Sequence, residues 1–103
     1  MSVRVLHETE AATEFQEAVA RYEEQANGLG IRFVFAVDKV VDAICARPLR
    51  FPKVSRTTRR ARVLGPYSIY FTFSEAAQEV KVIAVWHGKR NPAELRRRLK
   101  GGA

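Results

Sequence analysis

Between Ala11 and Ile44 the apolar residues recur at helical spacing twice over, and only Asn27-Gly28-Leu29-Gly30 separates the two runs. Ala11, Phe15, Ala18, Val19 and Tyr22 fall on one face of a first helix. Phe33, Val37, Val40, Val41 and Ile44 fall on one face of a second, with Arg32, Asp38, Lys39 and Asp42 away from the stripe. A link this short, with glycine free to take a left-handed conformation, leaves room only for an antiparallel helical hairpin. Thr9 or Glu8 stands at the N-cap of the first helix, and Glu10 and Glu14 suit the positive end of its dipole. Pro48 stops the second helix. A hairpin with one apolar stripe must bury it against another layer.

That layer comes from runs of a different period. Val3-Arg4-Val5-Leu6 reads as a short strand, and Arg59 to Leu64 holds the start of another, ended by the Gly65-Pro66 turn. Tyr67 to Phe73 is rich in aromatic and β-branched residues, and Val80 to Trp86 is almost continuously apolar, as a central strand is. Pro92 at a first helical turn opens a short basic helix, Ala93 to Lys100, that frays into Gly101-Gly102-Ala103. The expected fold class is α+β, in the order β-α-α-β-β-β, with the hairpin packed on one face of a small antiparallel sheet and a short basic C-terminal helix behind it. Phe15, Val19, Tyr22, Phe33, Val37, Val41 and Ile44 should meet Ile69, Phe71, Ile83 and Val85. One domain spanning residues 1–103 accommodates this, since a chain of that size buries roughly two-thirds of its unfolded surface.

Composition narrows the function. A hydrophobic fraction of 47% and a charged fraction of 28% exclude global disorder. No apolar run approaches the ~20 residues of a membrane span, and the N-terminus lacks a secretory pattern, so a cytoplasmic protein with no membrane partner is expected. Cys45 is the one cysteine and forms no internal disulfide. No His/Cys/carboxylate spacing suits a metal and no glycine loop suits a nucleotide, so neither metal nor cofactor is expected. The net charge of +7 is unevenly spread. Residues 1–44 carry four Lys/Arg against eight Asp/Glu, a net of −4, and residues 45–103 carry fourteen against three, a net of +11. Such a chain can present a basic face to a polyanion or to an acidic protein.

Three clusters could carry function. Arg56, Arg59, Arg60 and Arg62 crowd one strand and its approach, and strand alternation puts Arg60 and Arg62 on the same face. Their guanidinium forks match phosphate or carboxylate, although charges on an edge strand also deter aggregation. Trp86-His87-Gly88-Lys89-Arg90 ends the apolar strand with an acid–base group and two cations, or simply where the sheet reaches solvent. Arg96-Arg97-Arg98 points in three directions on a helix, which suits a solvated tail better than one flat partner.

With these stretches in order along it, the chain resembles the RelE/ParE superfamily of toxins from bacterial type II toxin–antitoxin systems, and its ParE, plasmid-stabilisation branch most. The resemblance runs through AVARYEEQANGLGIRF from Ala18 to Phe33, PLRFP from Pro48 to Pro52, Arg59-Arg60 and GPYSIYFTF. Its most specific stretch is VIAVWHGKRNP from Val82 to Pro92, similar to the family's strand followed by H-x-x-R-x-P. Arg98 fits the arginine that follows that motif, while Gly65 and Leu95 replace aromatic residues common in the family. The resemblance implies a growth-inhibiting toxin that binds DNA gyrase without catalysis, with possible indirect DNA contact, and is neutralised by a ParD-like antitoxin. Arg59, Arg60, Arg62, Lys89, Arg90, Arg97 and Arg98 are then the candidates for contact with target or antitoxin. The alternative is a RelE-type, ribosome-dependent mRNA endonuclease. Arg60, Arg62 and Arg90 would hold the scissile phosphate, with His87 as general acid or base and no metal. No tyrosine follows Tyr70, so the C-terminal catalytic tyrosine of that branch is absent.

Overall fold

Glu8, in extended conformation, leads the chain from strand β1 (Arg4–His7) into helix α1 (Thr9–Gln25) in the computed structural model, which describes residues 2–101. Glu8 is the N-cap residue, but its side chain makes no capping bond. Helix α2 (Leu29–Ala46) follows directly, and its start explains the glycines. Gly28 has φ +92°, in the left-handed region where a Cβ is strained. A Cβ at Gly30 would lie 3.0 Å from the Val19 carbonyl oxygen, so the close approach of the two helices requires a bare backbone there. Glu23 reaches across the turn, and its carboxylate accepts the N–H groups of Gly28 at 3.1 Å and Gly30 at 2.9 Å. It satisfies donors that a helix start otherwise leaves open.

A single 3-10 turn (Pro48–Arg50) ends the hairpin, and three strands follow: β2 (Arg59–Arg62), β3 (Tyr67–Ser74) and β4 (Glu79–His87). The sheet order is β1-β4-β3-β2, so the two most apolar strands are central, as their composition requires. β2, β3 and β4 are mutually antiparallel, as expected, but β1 pairs with β4 in parallel, Arg4 opposite Glu79 and His7 opposite Val82. Tight turns force the antiparallel pairs; β1 reaches β4 only after the whole hairpin and two strands, and no turn dictates its direction.

The hairpin covers one face of the sheet. Phe33, Val37 and Ile44 from α2 and Ala11 and Ala18 from α1 close on Ile69, Phe71, Val80, Val82 and Val85. Ile83 departs from expectation: it is buried but lies outside this core. Tyr70 pairs with Ala84 and Phe71 with Val82, so Ile83 is the extra residue of a β-bulge. The second face corrects the picture of a solvated basic tail. Helix α3 (Pro92–Gly101) sets Leu95 and Leu99 against Tyr70, Ala84 and Trp86. A continuous apolar strand is buried on both faces, and α3 supplies the second cover for β4. Gly102 and Ala103, where fraying was expected, lie outside the described residues.

Candidate functional site

β4 outruns β1, and this sets the chemistry of the site. Pairing with β1 ends at Val82, whose carbonyl accepts the Glu8 N–H at 3.0 Å. Beyond it the edge of β4 would stand open. Two side chains take the place of a strand. The Ile83 carbonyl, turned out by the bulge, accepts from the Arg98 guanidinium at 2.7 Å, and the Val85 N–H donates to Glu14 Oε1 at 3.0 Å. Glu14 and Arg98 also bind each other through two contacts, at 2.8 and 3.0 Å. Arg90 adds a third, its Nη1 2.7 Å from Glu14 Oε2, while its guanidinium lies 3.7 Å from the Trp86 ring centroid.

The Glu14 carboxyl is subject to opposing effects. Burial pushes its pKa up, but hydrogen bonds from Arg98, Arg90 and the Val85 N–H, with the charge of Arg98, outweigh this and hold it below the ordinary carboxylate value. The Glu14 hydrogen bonds raise the Arg98 pKa against the opposing effect of burial. In the sequence Glu14 looks like one more acid favouring the helix dipole; the structure gives it a further, structural role. The signal was present: with Ala11, Phe15 and Ala18 it occupies the apolar stripe itself, at spacings of 3, 1 and 3. An ionisable residue in such a stripe needs a buried partner.

The sequence candidates separate accordingly. Arg98 and Arg90 are held by intramolecular ion pairs, Arg90 also with Glu94 at 3.2 Å. Arg59 donates to the carbonyls of Phe51 at 2.7 Å and Leu49 at 3.4 Å and ties the connector to β2. Lys89 and Arg97 are exposed. Arg60 and Arg62 are exposed on β2, opposite Tyr70 and Ser68 of β3. With Trp86, Gly88, Arg90 and Leu95 they line a groove of about 370 Å³ on the α3 face. His87 does not join them. Its ring packs edge-on against Tyr67, centroids 5.1 Å apart, and its Nδ1 accepts the Lys89 N–H at 3.0 Å. Tyr67 belongs to the core under the helical hairpin, so His87 is turned to the side of the sheet away from the arginine groove. The residues named for phosphate chemistry therefore form a set of three arginines without the histidine.

Among the described residues, no three His, Cys, Asp or Glu side chains gather to hold a metal ion, and no helix is long and apolar enough to cross a membrane. Burial, and then the nearby Asp42, push the Cys45 thiol above its ordinary pKa.

Residues 5–92 match a family model described as the ParE toxin of the type II toxin-antitoxin system, parDE. Several solved structures share the fold, two of them as follows. One, of the chromosomal ParDE TA system from P. aeruginosa, superposes with a TM-score of 0.70 at 12% identity, covering 84% of this chain and 96% of that one. The other, from the toxin-antitoxin complex RelBE2 of Mycobacterium tuberculosis, has a TM-score of 0.62 at 22% identity, covering 84% and 99%. No curated protein matches the chain. The family match ends at Pro92, where α3 begins, so Arg98 lies beyond it.

Proposed function

The chain belongs to the ParE toxin family of type II toxin–antitoxin systems, and from that premise we propose that it poisons DNA gyrase by binding, without catalysis, and that a ParD-like antitoxin neutralises it. Its place of action on this reading is the cytoplasm. The observation that carries the non-catalytic part is the separation of His87 from the arginine groove. A general acid or base must come within hydrogen-bond reach of the proton it moves, directly or through one water. Arg60 and Arg62, exposed and without an acidic partner among the described residues, remain free to meet phosphate or carboxylate. They supply a binding surface for the gyrase–DNA complex, on the side of the sheet away from the acidic hairpin.

Two assays on the purified protein test the proposal: trapping of cleaved DNA with gyrase, and cutting of messenger RNA on translating ribosomes. We expect trapped DNA and intact message. His87→Ala should stay toxic when expressed without antitoxin, because no proton is moved. A nuclease stripped of its acid–base group would lose on the order of 10²–10⁴ in rate. A folded His87→Ala protein that loses both toxicity and a wild-type RNA-cutting activity would establish the RelE-type alternative instead. The double variant Arg60→Glu/Arg62→Glu, altered only at exposed positions, should abolish gyrase trapping while leaving the circular dichroism spectrum unchanged.

A further inference from the structure

A second hollow, of about 460 Å³, opens beyond the arginine groove, between α3 and the loop that precedes β2. Val54 and Leu99 give it apolar walls, and Arg56, Arg96 and Lys100 stand around it. Those three cations are exposed, and none has a carboxylate within ion-pair distance among the described residues. The acid on α3, Glu94, is already engaged by Arg90. The two hollows share one wall. Pro92 and Leu95 line the first, and Arg96, Leu99 and Lys100 the second, so the contributing residues recur at the spacing of a single helix flank. From Pro92 to Lys100 that flank runs about 12 Å, the length of two helical turns or about four extended residues. The facing wall carries Arg62 and Arg60 beside the first hollow and Arg56 beside the second.

We propose that this flank of α3 is a docking groove for an acidic segment of the antitoxin, a short peptide whose apolar residue enters between Val54 and Leu99 while its carboxylates meet Arg56, Arg96 and Lys100. The proposal rests on the antitoxin half of the reading above and is independent of the gyrase half. Charge complementarity selects an acidic occupant. The apolar walls favour a peptide over a nucleic-acid backbone, which would place phosphates against Arg56 and Arg96 and leave Val54 and Leu99 without a partner. The division of labour is the usual one at such interfaces: apolar contacts slow dissociation, and charges steer encounter and exclude wrong partners.

The experiment uses the full chain and a ParD-like antitoxin, sought beside its gene, with binding followed by biolayer interferometry and neutralisation by rescue of growth. Arg56→Glu/Arg96→Glu should weaken binding at least about tenfold, because it sets like charges against each other. Val54→Ser should speed dissociation with little change in the on-rate. Arg32→Glu, an exposed reversal on α2, should change affinity less than about threefold and controls for net charge. Unchanged circular dichroism is required of each variant. Replacing antitoxin glutamates by lysine should restore binding to Arg56→Glu/Arg96→Glu. If the wild type is neutralised and the groove variants bind as tightly as wild type, the groove proposal falls and the antitoxin reading stands. If no such antitoxin binds the wild type, both fall. Duplex DNA that displaces the antitoxin from the wild type but not from Arg56→Glu/Arg96→Glu would make the groove a nucleic-acid site and overturn the proposal.

Discussion

Phe33→Ala should destabilise the fold by about 3–5 kcal/mol, measured by urea unfolding with an unchanged m-value. Phe33 is 0% exposed. Its ring stacks on Tyr22 at 5.2 Å and Phe15 at 6.1 Å, and meets Tyr67 edge-on at 5.2 Å. It thus touches both helices' shared interior and the first residue of β3, the point where hairpin and sheet are joined. Truncation removes the transfer free energy of the ring and leaves a cavity that three neighbouring aromatic rings cannot close without moving. A domain of this size has about 5–15 kcal/mol in all, so the variant should sit close to its unfolding threshold. Phe33→Leu, which keeps most of the volume, should lose much less. A loss below about 1 kcal/mol for Phe33→Ala would mean that the ring is not the joint between the layers.

The layers that Phe33 joins were legible in the sequence because their signals are local. Helical spacing from Ala11 to Tyr22 and from Phe33 to Ile44 exposes each stripe, and the continuous apolar run of β4 marks it as central. What could not be read depends on distance along the chain. The parallel partner of Arg4 is Glu79, and nothing in Val3-Arg4-Val5-Leu6 indicates direction. Arg96, Arg97 and Arg98 are indistinguishable by type, and only the rotation of α3 imposed by Leu95 and Leu99 turns Arg98 inward and leaves the other two in solvent. The family motif drew attention to Arg90 and Arg98 but not to what they hold, since Glu14 precedes them by 76 and 84 residues. His87 stands close to Arg90 in sequence, yet side chains along a strand alternate, and beyond its end a single loop residue changes the direction of the next.

Glu14→Ala should cost about 3 kcal/mol, at the low end of the range for removing one partner of a buried ion pair, because Arg90 keeps 39% of its side-chain surface in water. Three losses contribute. The Arg98 side chain, 16% exposed, keeps only its longer contact with Glu10 at 3.5 Å, the Val85 N–H loses its acceptor, and α3 loses its closest tie to α1. Glu14→Gln keeps an acceptor for Val85 but no charge for the arginines, and should fall between wild type and Glu14→Ala. Glu14→Leu/Arg98→Leu should recover only part of the loss. Apolar packing can replace an ion pair, but it cannot bond the Ile83 carbonyl and the Val85 N–H at the open edge of β4. The same clamp sets a pH dependence. The folded-state pKa of Glu14 is below its ordinary value of 4.5, so the unfolded chain binds more protons between the two values and stability rises with pH there. The contribution is complete above the unfolded value and is lost as pH falls through the folded one. Wild type should therefore lose stability more steeply than Glu14→Gln on acidification below about pH 4.5, the ordinary value of that carboxyl. Hydrogen exchange should locate the effect, with the amides of α3 and Val85 losing protection first. Parallel acid profiles for wild type and Glu14→Gln, or a Glu14→Ala variant within 1 kcal/mol of wild type, would show that apolar contacts alone hold α3 on the sheet.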